Sequence, residues 1–381
     1  DGSILPRQGT TQLPLPGAIP FQSPPSLRVT LCTQDGYTLT GMGLKRGITV
    51  ITGGGYSGKS TLLDCLEQGI YDHVAGDGRE YLVSDESACK VYAEDGRYLS
   101  ATDLSPFFTC LPGNDDTRRV RTPHASGSVS QAAGIVEAVY GGSRCLLIDE
   151  DTSAANFMMR DETMRRLIPK EPIIPFTDRI LELKEQGVST ILVIGGSGEY
   201  LKYADRILLL EDYLISDITK RLCRSQPFIS EDSAADGAPQ KVVSADSAIP
   251  AASRAHSWMC RKFLPRSAKG ADYSYGQCVR IEHARYLKIG GFTADITRLT
   301  ALTESAQAGS LIWLLEEYAE ADLRESCDSA VKTLFRDSRD AILSSHAHQY
   351  ELWLEQIRGL DLVLAACRLR PDDFPAESLS R

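Results

Sequence analysis

The sequence has no C-x-x-C pair, and its ten cysteines, at positions 32, 65, 89, 110, 145, 223, 260, 278, 327 and 367, are scattered. That spacing excludes a zinc ribbon and a disulfide framework, and predicts reduced, mostly buried thiols in an intracellular compartment. No apolar run approaches the roughly eighteen residues needed to cross a bilayer, so no membrane association is expected. Positive charge is also scarce. With 41 Lys and Arg against 51 Asp and Glu the net charge is −10, which excludes a uniformly basic nucleic-acid binder but leaves room for a local patch. Asp1, not methionine, opens the chain, so a preceding segment that could carry a targeting signal is expected. What is present is ample for a globular protein: 381 residues, 42% of them hydrophobic, allow a substantial core and two or three domains.

The chain is organised around Gly53-Gly54-Gly55-Tyr56-Ser57-Gly58-Lys59-Ser60, which fits the phosphate-cradling pattern G-x-x-x-x-G-K-[ST] at every fixed position. Its setting gives the pattern weight. Ile48 to Thr52 is a β-branched run that predicts a buried strand, and a helical pattern opens at Thr61. Small residues let the loop turn its N–H groups toward a polyphosphate, and the helix N-terminus adds its dipole. Lys59 would reach the β- and γ-phosphates of ATP or ADP, and Ser60 would give a hydroxyl to Mg²⁺. A glycine-rich turn that binds nothing is the competing reading.

The second informative stretch is Cys145-Leu146-Leu147-Ile148-Asp149-Glu150, an apolar strand ending in two carboxylates. Beside a phosphate loop, Asp149 would order Mg²⁺ and Glu150 would polarise the attacking water. Capping of the following turn is the bland alternative. Upstream, Ser126-Gly127-Ser128 opens a helical run through Tyr140.

Taken in order, residues 1–46 predict an extended lead-in, tethered by Ile4, Leu5 and Phe21, and a hairpin turning at Asp35-Gly36. Residues 47–224 form the nucleotide-binding core. Within it Glu80–Val83 and Ala88–Ala93 are expected as strands, and Glu94 to about His124 as a polar loop. Strands alternating with helices to Leu210 predict an α/β fold with a mostly parallel sheet. Residues 225–253 have the composition of a linker or insertion.

Residues 254–295 form a basic, aromatic-rich region, and from Arg254 to Lys288 the charge reverses. Arg254, Arg261, Lys262, Arg266, Lys269, Arg280, Arg285 and Lys288 stand against Asp272 and Glu282, interleaved with Trp258, Phe263, Tyr273, Tyr275 and Tyr286. Cations for phosphates and aromatic faces for unpaired bases suit single-stranded RNA or DNA, with a hairpin packing its aromatics inward as the alternative. Arg118, Arg119 and Arg121 form a smaller basic cluster that could face the same partner. Residues 296–381 predict an α-helical tail centred on Trp313 and Trp353. His346 and His348 there belong to a solvated face rather than a metal site.

These motifs, in this order, resemble an ABC-type ATPase. Asp149 to Asn156 resembles the stretch that carries that superfamily's second nucleotide motif and D-loop, and Ser126-Gly127-Ser128 sits where its signature loop belongs. More narrowly, Asp1 to Arg7, Gly76 to Glu80, Ala125 to Ala133, Asp149 to Asp161 and Gly195 to Gly198 resemble the ABC-class ATPases that lack transport domains. Within that family the chain is similar to the branch associated with kinetoplastid mitochondrial RNA editing. The resemblance implies an ABC-type core with N-terminal β elements and a helical C-terminal region, ATP or ADP with Mg²⁺, and a head-to-tail homodimer. It also implies RNA and other editing accessory proteins as partners, and the mitochondrial matrix as the compartment. The sites would be Lys59, Asp149 and Glu150 for catalysis, Gly53 to Thr61 with Ser126 to Ser128 for nucleotide, and Ser60 with Asp149 for Mg²⁺. Two departures point to slow hydrolysis: Glu94 stands where a glutamine senses Mg²⁺ and water, and Gly195 where a histidine meets the γ-phosphate, with Ser197 as a candidate substitute. A protein-remodelling ATPase, and a structural protein that holds nucleotide with little turnover, are the alternative functions.

Overall fold

The computed structural model describes residues 1–9, 11–33, 36–112, 116–225, 279–281, 284–289, 292–302, 307–308, 311 and 357–371. In chain order, β1 is Arg28–Cys32, β2 Thr38–Met42, β3 Ile48–Gly53, α1 Lys59–Gln68, β4 Ala88–Val91, β5 Arg97–Thr102, β6 Val120–Ala125 and α2 Gly127–Tyr140. There follow β7 Cys145–Asp149, α3 Ala155–Met158, α4 Glu162–Leu167, α5 Ile180–Glu185, β8 Ser189–Val193, β9 Arg206–Glu211, β10 Leu214–Asp217 and α6 Thr219–Ser225. The last are β11 Val279–Ile281, β12 Ala284–Ile289, β13 Phe292–Asp295, α7 Gly359–Ala366 and β14 Arg370–Pro371. The chain divides into two units: Asp1–Cys89 with Arg144–Leu167 and Pro175–Ile249, and Lys90–Ser143 with Ile168–Ile174 and Pro250–Arg381.

The first unit is built on a sheet of order β10-β9-β3-β8-β7-β4, in which β9, β3, β8 and β7 run parallel and β10 is an antiparallel edge. The α/β fold with a mostly parallel sheet is therefore what the chain adopts. Its central strands read as continuous apolar runs because both faces are covered: all five residues of β7 and of β8 are buried. Leu62 and Leu63 of α1 pack with Ile51, Leu147, Val193 and Leu208, and each such burial stabilises by about 1.5–3 kcal/mol. Leu5 and Phe21 pack against the same cluster, so the lead-in is tethered there. The hairpin pairs β1 with β2, Leu31 opposite Leu39.

Glu80–Val83 is a correction. Instead of a strand it is a turn, in which the Leu82 N–H donates to the Arg79 carbonyl at 2.9 Å and Tyr81 and Val83 are exposed. The Arg79 guanidinium, itself buried, turns back onto Asp77 at 2.8 Å, and Arg7 of the lead-in reaches the same carboxylate at 3.1 Å. Burial would raise the Asp77 carboxyl, yet the hydrogen bond from Arg79 and the two guanidinium charges hold it below its ordinary value. That closure outweighs the β propensity of Tyr81 and Val83.

The second unit corrects the expected polar loop after Glu94, because β5 and β6 pair antiparallel within it, with register shifts between Arg97, Leu99 and Thr102. Helix α2 is buried nearly all round. A four-stranded antiparallel sheet of order β11-β12-β13-β14 and helix α7 complete the described part. Arg254, Arg261, Lys262, Arg266 and Lys269, most of the interleaved aromatics, Trp313, Trp353, His346 and His348 lie outside the described residues. Cys32, Cys65, Cys89, Cys110, Cys145 and Cys367 are reduced thiols. Cys65, Cys89, Cys145 and Cys367 are buried, and burial pushes the Cys65 and Cys145 thiols up to about 11 and about 12.

Candidate nucleotide site

Strand β3 delivers the chain to Gly53, whose φ of +150° and position leave no room for a side chain. A β-carbon there would fall 2.2 Å from the Leu210 carbonyl of the neighbouring strand β9. Gly54 and Gly55 then face open space, and Gly58, at φ +97°, turns the chain into α1. The helix starts at Lys59, two residues before the expected Thr61, because the left-handed Gly58 serves as its N-cap without a side-chain cap bond. The first N–H groups of α1 are thus left for a ligand.

Lys59 folds its ammonium onto the loop itself, Nζ donating to the carbonyls of Gly53 at 2.9 Å and Gly54 at 2.7 Å. Ser57 Oγ is buried and has no hydrogen-bond partner among the described residues. Ser60 is exposed and Thr61 half-buried on the first turn of the helix. Tyr56 is 98% exposed and sits at φ +58°, a left-handed conformation costly for an aromatic residue. An orphaned buried hydroxyl, an open glycine loop, an uncapped helix start and a lysine at its mouth together fit a polyphosphate.

Strand β8 lies between β3 and β7, and the register sets Asp149 opposite Val193 and Val193 opposite Ile51. Asp149 is therefore level with Ile51, two residues short of Gly53, about 10 Å across two strand spacings. It is buried, and its Oδ1 accepts from the Asp151 N–H at 3.1 Å, so it does cap the turn Glu150–Thr152. Glu150 is half-buried, and its Oε2 accepts from the N–H groups of Gly195 at 2.6 Å and Gly196 at 2.9 Å. The stretch behind it is fixed by rings. Phe157, Phe176 and Tyr200 stack at centroid distances of 6.4 Å, and the Tyr200 hydroxyl, its pKa pushed up by burial, donates to the Met158 carbonyl. Among the described residues no cluster of three His, Cys, Asp or Glu could hold a metal. Mg²⁺ with Ser60 and Asp149 would then draw its remaining ligands from phosphate and water, as that ion commonly does.

Ser126, Gly127 and Ser128 open α2 in the second unit. Ser126 is exposed, Ser128 is buried, and Ser126 makes no cap bond. Glu94 in that unit is committed elsewhere: its Oε1 accepts from Arg368 at 2.6 Å and lies 3.6 Å from Arg97. Burial would raise its carboxyl, but the Arg368 and Arg97 charges hold it below the ordinary value. The sequence marks Gly195 only as standing where a histidine would meet the γ-phosphate, and Gly196 only as part of a family stretch. The glycine pair directly after the C-terminal end of a core strand was the available signal for what their amides do. Ser197 caps its own turn, its Oγ accepting from the Glu199 N–H at 3.2 Å. Of the basic residues, Arg118 and Arg119 are exposed in the turn Thr117–Arg119, and exposed Arg121 donates from Nε to the Ser100 carbonyl at 2.8 Å. Arg280 of β11 stands opposite Arg285 of β12.

A family model described as the P-loop domain of the ABC ATPases matches residues 1–243. The chain belongs to the ABC ATPase family. An uncharacterised protein of Methanocaldococcus jannaschii is 32% identical to this chain over 200 residues, 51% of the chain and 44% of the relative. The ATPase thus matches less than half of that relative's length. Among solved structures it is similar to CbiO1 of Clostridium perfringens, part of an ABC transporter complex, with TM-score 0.33 and 18% identity over 51% of this chain and 88% of that one. It is also similar to an ATP-binding cassette of an ABC transporter in its ADP conformation, with TM-score 0.33 and 13% identity over 54% of this chain and 96% of that one. The assignment rests on the family model, which makes residues 1–243 the P-loop domain of a nucleotide-binding, ATPase-like protein; the P-loop pattern within it is Gly53 to Ser60.

Proposed function

We propose that this ATPase is a nucleotide-gated, RNA-binding homodimer that serves as an accessory factor of kinetoplastid mitochondrial RNA editing, in the matrix and beside other editing accessory proteins. The observation that carries the nucleotide part is the open loop at Gly54 and Gly55, with the orphaned Ser57 hydroxyl behind it and Lys59 at its mouth. Lys59 exchanges its two loop carbonyls for the β- and γ-phosphates of ATP. Asp149 and Ser60 orient Mg²⁺, which when bound neutralises phosphate charge. Glu150 is the general base, and turnover is slow. Ser126 to Ser128 of each copy cap the nucleotide held by the other, which makes the pair head-to-tail and two-fold symmetric.

The RNA part is supported by exposed Arg118, Arg119 and Arg121 and by the register of the β11–β12 hairpin. The stretches Asp1–Arg7, Gly76–Glu80 and Asp149–Asp161 support the ABC-class family, and the editing context rests on overall resemblance to that family's kinetoplastid branch and not on any one motif. The test is fluorescence anisotropy of a short single-stranded RNA with the full chain, with and without ATP and Mg²⁺, over a salt series. Expected is binding that weakens steeply with salt, as counterion release requires, and that shifts on adding ATP. No binding at low salt would remove RNA from the function and leave an ATPase acting on a protein partner.

A further inference from the structure

We propose that the backbone amides of Gly195 and Gly196 are the positioning device for Glu150, gripping it by one carboxylate oxygen and leaving the other free to accept a proton from water. The proposal rests on Glu150 acting as the base. The grip is specific. Both N–H groups converge on Oε2, at 2.6 Å and 2.9 Å, whereas Oε1 has no hydrogen-bond partner among the described residues. Consecutive amides aimed at one anion form a concave nest that needs no cationic side chain. Both glycines are exposed, so burial does not force the contact.

The backbone on either side explains why these two amides are available. The preceding Ile194 N–H donates to the Ile51 carbonyl at 2.9 Å, which anchors the end of β8 to β3, the strand that carries the P-loop. One residue beyond the pair, the Ser197 hydroxyl takes up the next turn through the Glu199 N–H. The segment between is left with two donors and no backbone acceptor. The grip comes from the backbone and a small side chain fits at either position, since a β-carbon on Gly196 would sit 3.4 Å from Oε1, an ordinary contact, and one on Gly195 would meet nothing within 4 Å. In hydrolysis Oε1 takes the proton that water loses as its oxygen bonds to the γ-phosphorus and the P–O bond to ADP breaks. The proton then leaves with inorganic phosphate, and Oε2 stays held throughout.

The test compares Gly195→Pro and Gly196→Pro, which each delete one N–H, with Gly195→Ala and Gly196→Ala, which keep it. Expected is a kcat for each proline variant about tenfold or more below that of its alanine counterpart, with the KM for ATP within about twofold. In a Glu150→Gln background the proline changes should add nothing further. Should the proline variants fail to fold, spectra of the ¹⁵N-glycine-labelled full chain give a second reading, in which two glycine amide protons move upfield on Glu150→Ala. Proline and alanine variants with equal kcat, or glycine amides that ignore Glu150→Ala, would overturn the proposal even if Glu150→Gln abolishes turnover. A Glu150→Gln enzyme as fast as the parent would instead overturn the base assignment on which it rests.

Discussion

The P-loop of the first unit and the core around α2 in the second both gather charge, and they satisfy it in different ways. In the second unit Glu137 is fully buried on α2, its carboxylate gripped by Arg97 and accepting from Thr102 Oγ1 at 2.9 Å, while Glu94 joins Arg97 to Arg368. Burial alone would lower the Arg97 pKa, but Glu137 and Glu94 hold it above its ordinary value. Arg97, Glu137, Glu94 and Arg368 thus each have an opposite charge from the same unit. At the nucleotide site, among the described residues, Lys59 has only neutral carbonyls, the Ser57 hydroxyl has no partner, and Glu150 leans on two amides. Internally paired charge builds a core. Charge matched only by neutral dipoles is what a site looks like before a charged ligand arrives.

The largest effect expected from breaking this contrast is in the core. Glu137→Ala strands the buried Arg97 cation and should destabilise the protein by about 3–5 kcal/mol in denaturant titration. Arg97→Met combined with Glu137→Leu removes both charges and should cost far less, since well-packed apolar pairs often replace buried ion pairs without loss. If the double variant were as unstable as Glu137→Ala, the pair would matter for packing and not for charge.

A middle-sized effect concerns pH. Glu94 is held below its ordinary 4.5, so its contribution is complete above the unfolded-state value and is lost as pH falls through the lower folded-state value. Glu94→Gln should therefore be less stable than the parent at neutral pH, with the gap closing as the pH is lowered from about 5 to about 3. Melting temperatures across that range would show it, and a gap that widened in acid would contradict the pairing with Arg368 and Arg97.

The smallest expected effect lies in the P-loop. Tyr56→Asn should stabilise the nucleotide-free protein by about 0.5–1 kcal/mol, because Asn tolerates the left-handed backbone better than tyrosine does. A loss of stability would mean that the exposed ring makes a contact of its own.

Much of the site was legible in the sequence for a physical reason. The P-loop is local, a strand, a glycine loop and a helix start in the thirteen consecutive residues Ile48 to Ser60, and Asp149 and Glu150 end an unbroken apolar run. The β5–β6 ribbon was not legible, because its register shifts break the period-two pattern that marks a strand. Nor was the closure of Arg79 on Asp77 visible to β propensity. Glu94 shows the same limit: its partner Arg368 lies 274 residues away, a distance that no window reads. The grip on Glu150 leaves no side-chain signature at all, since amides of glycine supply it.

The most direct test of the nucleotide site is a titration of the full chain with fluorescent N-methylanthraniloyl-ATP in Mg²⁺, for the parent and for Lys59→Ala. Expected is saturable binding competed by ADP, about 100-fold weaker in Lys59→Ala, a difference of about 2.7 kcal/mol, with the melting temperature in the absence of nucleotide little changed. Equal affinity in the two proteins, or no binding by the parent, would contradict the reading of Gly53 to Thr61 as a working polyphosphate cradle.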